Sequence, residues 1–127
     1  MKLKYTILYV DSVLKTIEFY EQAFQLKRAM VLEEGDYGEL DTGEVTLSFC
    51  SLELMKSLGK GAVPPCASAP TFEIAFETEN VSEALERALA AGAQLVQPVQ
   101  EMPWGQTTAY VHDINGFLVE ICSPIPA

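Results

Sequence analysis

The chain contains one structural plan twice. Residues 5–24 and 73–92 each read as an alternating strand, a polar cap and an amphipathic helix. Residues 41–49 (DTGEVTLSF) and 113–121 (DINGFLVEI) repeat a second pattern, a turn followed by a strand. Because an internal repeat constrains the architecture more than any single residue does, we expect two copies of one unit to fill the chain.

The repeat also identifies four positions where a shared site must lie. An offset of 68 residues pairs Tyr5 with Glu73, and an offset of 72 residues pairs Ser48 with Glu120. If a pseudo-twofold axis relates the two copies, a site on that axis is built from these positions. They are therefore the first candidates for function.

Length and charge limit the possible classes of protein. A chain of 127 residues is expected to form one domain and to bury roughly two thirds of its unfolded surface. It has 18 Asp and Glu against 8 Lys and Arg, a net charge of -10, which disfavours nucleic acid and anionic membranes as partners.

The remaining composition predicts a cytoplasmic protein. No apolar run is long enough for a transmembrane helix, and MKLKYTILYVDS turns polar too early for a signal peptide. The three cysteines lack the C-x-x-C spacing of a zinc or redox pair, so we expect free thiols in a reducing compartment.

The element pattern predicts an α+β fold made of two tandem βαβββ modules. Module one covers about residues 1–60, the Pro- and Ala-rich connector 61–70, and module two about 71–127, all within a single domain 1–127. Besides the leading strands, we expect strands near Met30–Glu34, Tyr37–Asp41, Val45–Ser51, Gln94–Val96, Thr107–His112 and Phe117–Cys122. One or two helical turns are expected in SLELMKSLG.

Each module carries one amphipathic helix. The first begins after a cap at Asp11 or Ser12, and the second after Asn80, with Glu83 three residues on, and ends at Gly92. Their apolar stripes are Val13, Ile17, Tyr20 and Phe24 in the first and Val81, Leu85 and Ala88 in the second.

Strand alternation predicts which side chains face away from these helices. In residues 45–50, Val45, Leu47 and Phe49 share the side that packs on the helices, and the other side is polar. The same reasoning puts the following residues on the opposite surface: Tyr5, Tyr9, Ser48, Cys50, Glu73, Glu77, Glu120 and Cys122. A sheet face of this composition is typical of the lining of a cup.

The two ends of the chain resemble a known superfamily. YTILYVDSVLKTIEFYEQAF resembles the opening, and WGQTTAYVHDINGFLVEICSP the closing segment, of the vicinal oxygen chelate superfamily. Its members include glyoxalase I, extradiol dioxygenases, and bleomycin and fosfomycin resistance proteins. The resemblance implies a glyoxalase-like, cup-shaped mixed sheet. In this superfamily two modules close into a cup either within one chain or between two chains, and a chain of two modules commonly forms a twofold homodimer whose sites are shared between subunits.

The resemblance also locates the metal ligands of the metal-dependent members, at Tyr5, Ser48, Glu73 and Glu120. Only Glu120 matches the residue type expected there. Tyr and Ser are not usual ligands of nickel, zinc or ferrous iron, and we expect the only histidine, His112, to be a surface or strand-end residue. No cofactor is therefore expected, although two carboxylates could hold Mg²⁺ or Ca²⁺ together with several waters.

Three functions remain open, and whether the protein is an enzyme is undecided. The first is binding of a small cationic or aromatic molecule in an acidic cup, in the manner of drug-binding resistance proteins. Its candidate ligand-binding residues are Tyr5, Tyr9, Ser48, Glu73, Glu77, Trp104 and Glu120. The second is a lyase, isomerase or dioxygenase with Glu73 and Glu120 as catalytic residues, acting as an acid–base pair or with a divalent ion.

The third function is that of a dimeric structural or regulatory protein whose cup is filled by its own side chains. Individual residues have structural alternatives as well. Trp104, between Pro103 and Gly105, either stacks on a ligand at the rim or closes one end of the core. Cys50 and Cys122 are expected to be small apolar lining rather than nucleophiles.

Overall fold

The computed structural model describes all residues, Met1 to Ala127. It confirms the α+β fold with two βαβββ modules. The chain divides into two compact units, Met1–Pro64 and Pro65–Ala127. The division falls inside the segment 61–70 that the sequence identifies as a connector.

Unit one contains a four-stranded mixed sheet and two helices. Its elements are β1 (Tyr5–Val10), α1 (Val13–Phe24), β2 (Lys27–Val31), β3 (Tyr37–Asp41), β4 (Thr46–Ser51) and α2 (Leu52–Ser57). The strand order is β1-β4-β3-β2, so the first strand pairs with the last of the unit.

Unit two repeats this topology without the second helix. Its elements are β5 (Glu73–Glu77), α3 (Val81–Ala90), β6 (Gln94–Glu101), β7 (Thr107–His112) and β8 (Leu118–Cys122). The strand order is β5-β8-β7-β6, which matches unit one strand for strand.

The first and last strands of each unit are parallel, and the register is the same in both. Ile7 lies opposite Ser48 in unit one, and Ala75 lies opposite Glu120 in unit two. Both pairs obey the offsets of 68 and 72 residues read from the sequence. The register therefore places Tyr5 diagonally from Ser48, and Glu73 diagonally from Glu120.

Capping residues fix both ends of helix α1. Of the two predicted caps, Ser12 is the one used, and its hydroxyl accepts a hydrogen bond from the Lys15 amide at 3.2 Å. The C-cap of the helix is Gln25, which adopts a left-handed conformation with φ 56°. Its buried side packs on the sheet, and the rings of Tyr20 and Phe49 lie 5.3 Å apart.

Gly38 shows which side of the unit-one sheet α1 covers. A Cβ at this position would lie 3.0 Å from Val13 and 3.4 Å from Ile17, both on α1. Because successive side chains alternate, Tyr37 and Glu39 must point to the opposite face. In unit two the register-equivalent residue is Ala109, which is fully buried.

Helix α3 has the predicted caps. The Asn80 side chain accepts from the Glu83 amide and donates to the Glu83 carboxylate, both at 3.1 Å. The first of these bonds is that of a capping box, but the backbone N–H of Asn80 donates to Thr78 and not to Glu83. Gly92 follows the last helical turn with φ 115°, a conformation that favours glycine. The predicted stripe Val81, Leu85 and Ala88 is buried.

Two predicted strands differ from the structure. The strand predicted near Met30–Glu34 begins three residues earlier, as β2, because α1 ends at Phe24 and the chain turns at Gly35, whose amide donates to the Leu32 carbonyl. Strand β6 runs past the predicted Val96 to Glu101. It tolerates Pro98 because it is an edge strand interrupted by bulges.

None of the three helices has the length and apolar character that a membrane-spanning helix needs.

The packing of Phe49 should dominate the stability of unit one. We expect Phe49→Ala to lower the free energy of unfolding by about 3–5 kcal/mol, because the ring is fully buried against α1. Leu14→Ala, on the exposed side of the same helix, is the matched control and should change it by no more than about 1 kcal/mol. Urea unfolding followed by circular dichroism measures both, and equal effects would refute this packing.

Candidate functional site

Each unit has a sheet surface opposite its amphipathic helix, here called its polar face. Alternation from Gly38 and Ala109 defines these faces. The polar face of unit one carries Tyr5, Tyr9, Tyr37, Glu39, Ser48 and Cys50. The polar face of unit two carries Glu73, Glu77, Thr108, Tyr110, Glu120 and Cys122.

Tyr110 lies close to two candidate carboxylates, Glu73 and Glu120. Its hydroxyl donates a hydrogen bond of 2.6 Å to Glu120, which lies directly opposite it across β7 and β8. This hydrogen bond, together with burial and the charges of Glu120 and Glu73, raises the pKa of Tyr110 well above its usual value. Glu73 therefore lies close enough to the Tyr110 hydroxyl to affect it, as Glu120 does.

A second phenol–carboxylate pair lies on the polar face of unit one. The Tyr37 hydroxyl donates to Glu39 at 2.7 Å. Burial and, to a smaller extent, the bond to Glu39 raise the pKa of Tyr37 to about 12, although the Ser48 hydroxyl beside it acts in the opposite direction. Ser48 is thus next to Tyr37.

The carboxylates of the unit-two polar face have no cationic partner. Arg87 is the only Lys or Arg between residues 65 and 127, and it pairs with Glu83 on α3 at 3.0 Å. The only other ion pair in the chain joins Arg28 to Glu21. Glu73, Glu77 and Glu120 therefore leave this face with an uncompensated negative charge.

Part of the unit-one polar face is covered by α2. Leu52 and Met55 of this helix form an apolar cluster with Cys50 and Ala62, and the rings of Tyr9 and Tyr37 pack against it. Ser48, at 0% exposure, is also closed to solvent. Of the unit-one candidates, Tyr5 is the most exposed, at 47%.

Trp104 lies at a surface turn. Its side chain is 58% exposed, and its ring N–H donates to Gln106 at 2.8 Å. Gln106 in turn donates to the Ser123 carbonyl at 2.9 Å, which ties the turn to the end of β8. Such exposure rules out the alternative in which Trp104 closes the core.

The two sheet cysteines are buried neutral thiols. Burial raises the pKa of both Cys50 and Cys122, and the charges of Glu120 and Glu77 raise that of Cys122 further. Lys60 approaches Cys50 but its effect is smaller than that of burial. Neither environment favours a thiolate nucleophile.

The Asp113–Gly116 turn holds β7 and β8 in register. The Asp113 carboxylate is buried and accepts hydrogen bonds from the amides of Asn115 and Phe117, both at 2.9 Å. Beside this turn, with His112 and Ala67 on its edge, is an open cleft of about 340 Å³. His112 ends β7 and is half-buried, at the strand-end position expected from the sequence.

The donor set does not fit a transition-metal site. Of the four superfamily ligand positions, each unit supplies two, and none carries an imidazole or a thiolate. One Glu120 oxygen accepts from Tyr110, and Ser48 is buried beside Tyr37. No group of three or more His, Cys, Asp or Glu side chains is arranged to hold a metal ion.

The sequence analysis missed four polar-face residues: Tyr37, Glu39, Thr108 and Tyr110. All four lie on the third strand of their unit, where the strand was predicted but not the direction of its side chains. The alternation of Thr108 and Tyr110 with buried Ala109 and Val111 carried the signal in unit two. It could not be used fully because the pairing register of the strands was unknown.

Comparisons with known proteins agree with the fold described above. The glyoxalase-like domain family matches residues 3–126. A glyoxalase-related enzyme from Fulvimarina pelagi is 20% identical, with a TM-score of 0.84 over 98% of this chain and 88% of that one. A glyoxalase/bleomycin resistance protein/dioxygenase family enzyme from Burkholderia phytofirmans PsJN is 20% identical, with a TM-score of 0.83 over 97% and 98%. No curated protein matches the sequence.

The phenol–carboxylate pairs can be tested by titration. Glu120→Ala should lower the pKa of Tyr110 markedly, because the bond to Glu120 is the main reason it is raised. Glu39→Ala should lower that of Tyr37 much less, because burial is the main cause there. The ¹³Cζ shift of each tyrosine against pH measures both, and equal changes in the two variants would contradict this assignment.

The same pairs affect stability at high pH. A raised tyrosine pKa means that the folded protein keeps a proton that the unfolded chain releases. The contribution of the protonated tyrosine to the free energy of unfolding is therefore complete below pH 10.0, the ordinary pKa of tyrosine. It is lost as the pH rises toward about 12 for Tyr37. Tyr37→Phe should therefore show a smaller alkaline loss of stability than the unsubstituted protein, and an unchanged loss would contradict the raised pKa.

Proposed function

The chain belongs to the glyoxalase-like domain family, and we propose that it is a cytoplasmic protein that binds a small cationic or aromatic molecule without the two-histidine metal site. The observation that most supports this proposal is the charge of the unit-two polar face, where Glu73, Glu77 and Glu120 have no Lys or Arg partner. Carboxylates gathered on one face repel each other, and a cationic ligand relieves that repulsion.

The aromatic side chains support an aromatic component in the ligand. Tyr5 is about half exposed on the unit-one polar face, and Trp104 is exposed at its turn. Exposed rings of this kind stack on flat ligands and attract cations to their faces. The buried thiol of Cys122 adds a small, neutral group beside Glu77 and Glu120.

Ligand charge is the direct test of this proposal. A cationic dye such as acridine orange should quench the fluorescence of Trp104, the only tryptophan, with an affinity that falls as salt rises. Glu120→Gln should weaken binding by about tenfold, the cost of one charged hydrogen bond. Glu86→Gln, which removes the same charge from the exposed side of α3, should leave it unchanged.

Preferential binding of an anionic dye such as 8-anilinonaphthalene-1-sulfonate would refute a cationic ligand. Equal weakening by Glu120→Gln and Glu86→Gln would show that only the net charge matters. That result would show that the ligand does not bind at the unit-two polar face.

We further propose that two chains associate and that each site combines unit one of one chain with unit two of the other. Tyr5 and Ser48 of one subunit would then face Glu73 and Glu120 of its partner. Exposed Tyr5 and Ile7 on β1, and exposed Glu73 and Ala75 on β5, support this arrangement, because these edge strands each pair on one side only. Sedimentation should give twice the chain mass of 14.0 kDa.

Mixing two defective variants tests whether the sites are shared. Tyr5→Ala damages unit one, and Glu120→Gln damages unit two. If sites are shared, chains of the two kinds that exchange subunits form heterodimers with one intact site, and about one quarter of all sites recover full affinity for the cationic dye. No recovery after proven exchange would place each site within a single chain.

A further inference from the structure

Thr108 is the one side chain on the unit-two polar face that lacks a hydrogen-bonding partner although it is buried. Its exposure is 1%, and its hydroxyl oxygen has no partner in the chain. It precedes Tyr110 by two residues on β7, so it points to the same face as Tyr110 and Glu120. A hydroxyl buried in this way destabilises the fold unless a molecule from outside the chain supplies the missing partner.

The hydrogen-bonding character of this face favours one kind of cation. Tyr110 already donates its proton to Glu120, so the atoms left for a ligand are acceptors: the carboxylate oxygens of Glu73 and Glu120. Tyr110 is the only Phe, Tyr or Trp ring on the polar face of unit two, and the partner's unit-one face would add one well-exposed ring, Tyr5. These rings do not form a cage of aromatic faces for a quaternary ammonium group. Acceptors without a cage are best satisfied by a cation that carries N–H donors.

From these observations we propose that the ligand is a protonated primary or secondary amine that also carries a hydroxyl or similar polar group. Glu73 and Glu120 accept from the amine, and Thr108 binds the second polar group. Thr108 on β7 and Glu120 on β8 are diagonal neighbours across the strand pair, about 7–8 Å apart, which sets the separation of the two ligand groups. This inference rests on the proposed binding function and specifies the ligand class.

Three benzyl compounds test the amine. The probes are benzylamine, benzyltrimethylammonium and benzyl alcohol, titrated into the full-length protein at pH 7 and followed by ¹H–¹⁵N spectra. Benzylamine should bind at least about tenfold more tightly than benzyltrimethylammonium, because only the amine offers charged N–H donors. The neutral alcohol should bind more weakly than benzylamine by a similar factor.

A fourth probe and one variant test Thr108. The added hydroxyl of 4-hydroxybenzylamine lies across the ring from its amine, and it should tighten binding about three- to tenfold over benzylamine. In Thr108→Val this gain should vanish, while benzylamine itself binds as before. Valine keeps the shape of threonine and removes only the unpartnered hydroxyl, so the variant should remain folded. Its circular dichroism spectrum and thermal midpoint check that.

The outcomes separate this inference from the binding function on which it rests. If benzyltrimethylammonium binds as well as benzylamine, the site binds cations but the proposed preference for a protonated primary or secondary amine is wrong. The proposed role of Thr108 is wrong if the hydroxyl of 4-hydroxybenzylamine does not increase affinity for the unsubstituted protein. It is also wrong if the same increase in affinity persists in Thr108→Val. If neither cation binds, the proposed function itself fails.

Discussion

The parallel pairing of the first and last strands is the constraint on which the rest of each unit depends. It joins residues about forty positions apart, and the intervening helix and two strands must cross over to make it possible. The register is identical in both units, and it fixes which side chains meet on the polar face. A slip of one residue would exchange the polar face with the face that packs on the helix.

Within this shared register the two units have diverged in chemistry. The cross-strand pair on the third and fourth strands is Glu39 with Ser48 in unit one and Tyr110 with Glu120 in unit two. The carboxylate has therefore changed strands, yet each unit keeps a carboxylate bonded to a phenol. In unit one α2 covers much of the neighbouring surface, whereas unit two presents three carboxylates. The negative charge of the candidate site thus belongs mainly to unit two.

The sequence predicted the fold well because the repeat supplied two independent readings of every element. Strands β1, β3 and β7 and the cap at Asn80 follow from local patterns alone. Strand β2 was misplaced because its start depends on the left-handed cap at Gln25, for which the sequence carries no glycine signal. The extension of β6 through Pro98 depends on its edge position, which only the sheet order reveals.

The candidate site was less predictable because it depends on contacts between strands. Alternation assigned Glu73, Glu77 and Glu120 to one face, but the pairing of Tyr110 with Glu120 required the register of β7 and β8. The burial of Ser48 likewise depends on neighbours far away in sequence. Local sequence patterns indicate which face of the sheet a side chain points to, whereas burial and hydrogen bonding depend on how the strands and helices pack together.

We propose that the polar face uses carboxylates and phenols without a bound metal. Elemental analysis of protein purified without chelator tests this proposal most directly. We predict well below one equivalent of nickel, zinc, iron or manganese per chain. One equivalent of any of these metals that is lost in the Glu120→Ala variant would contradict the claim.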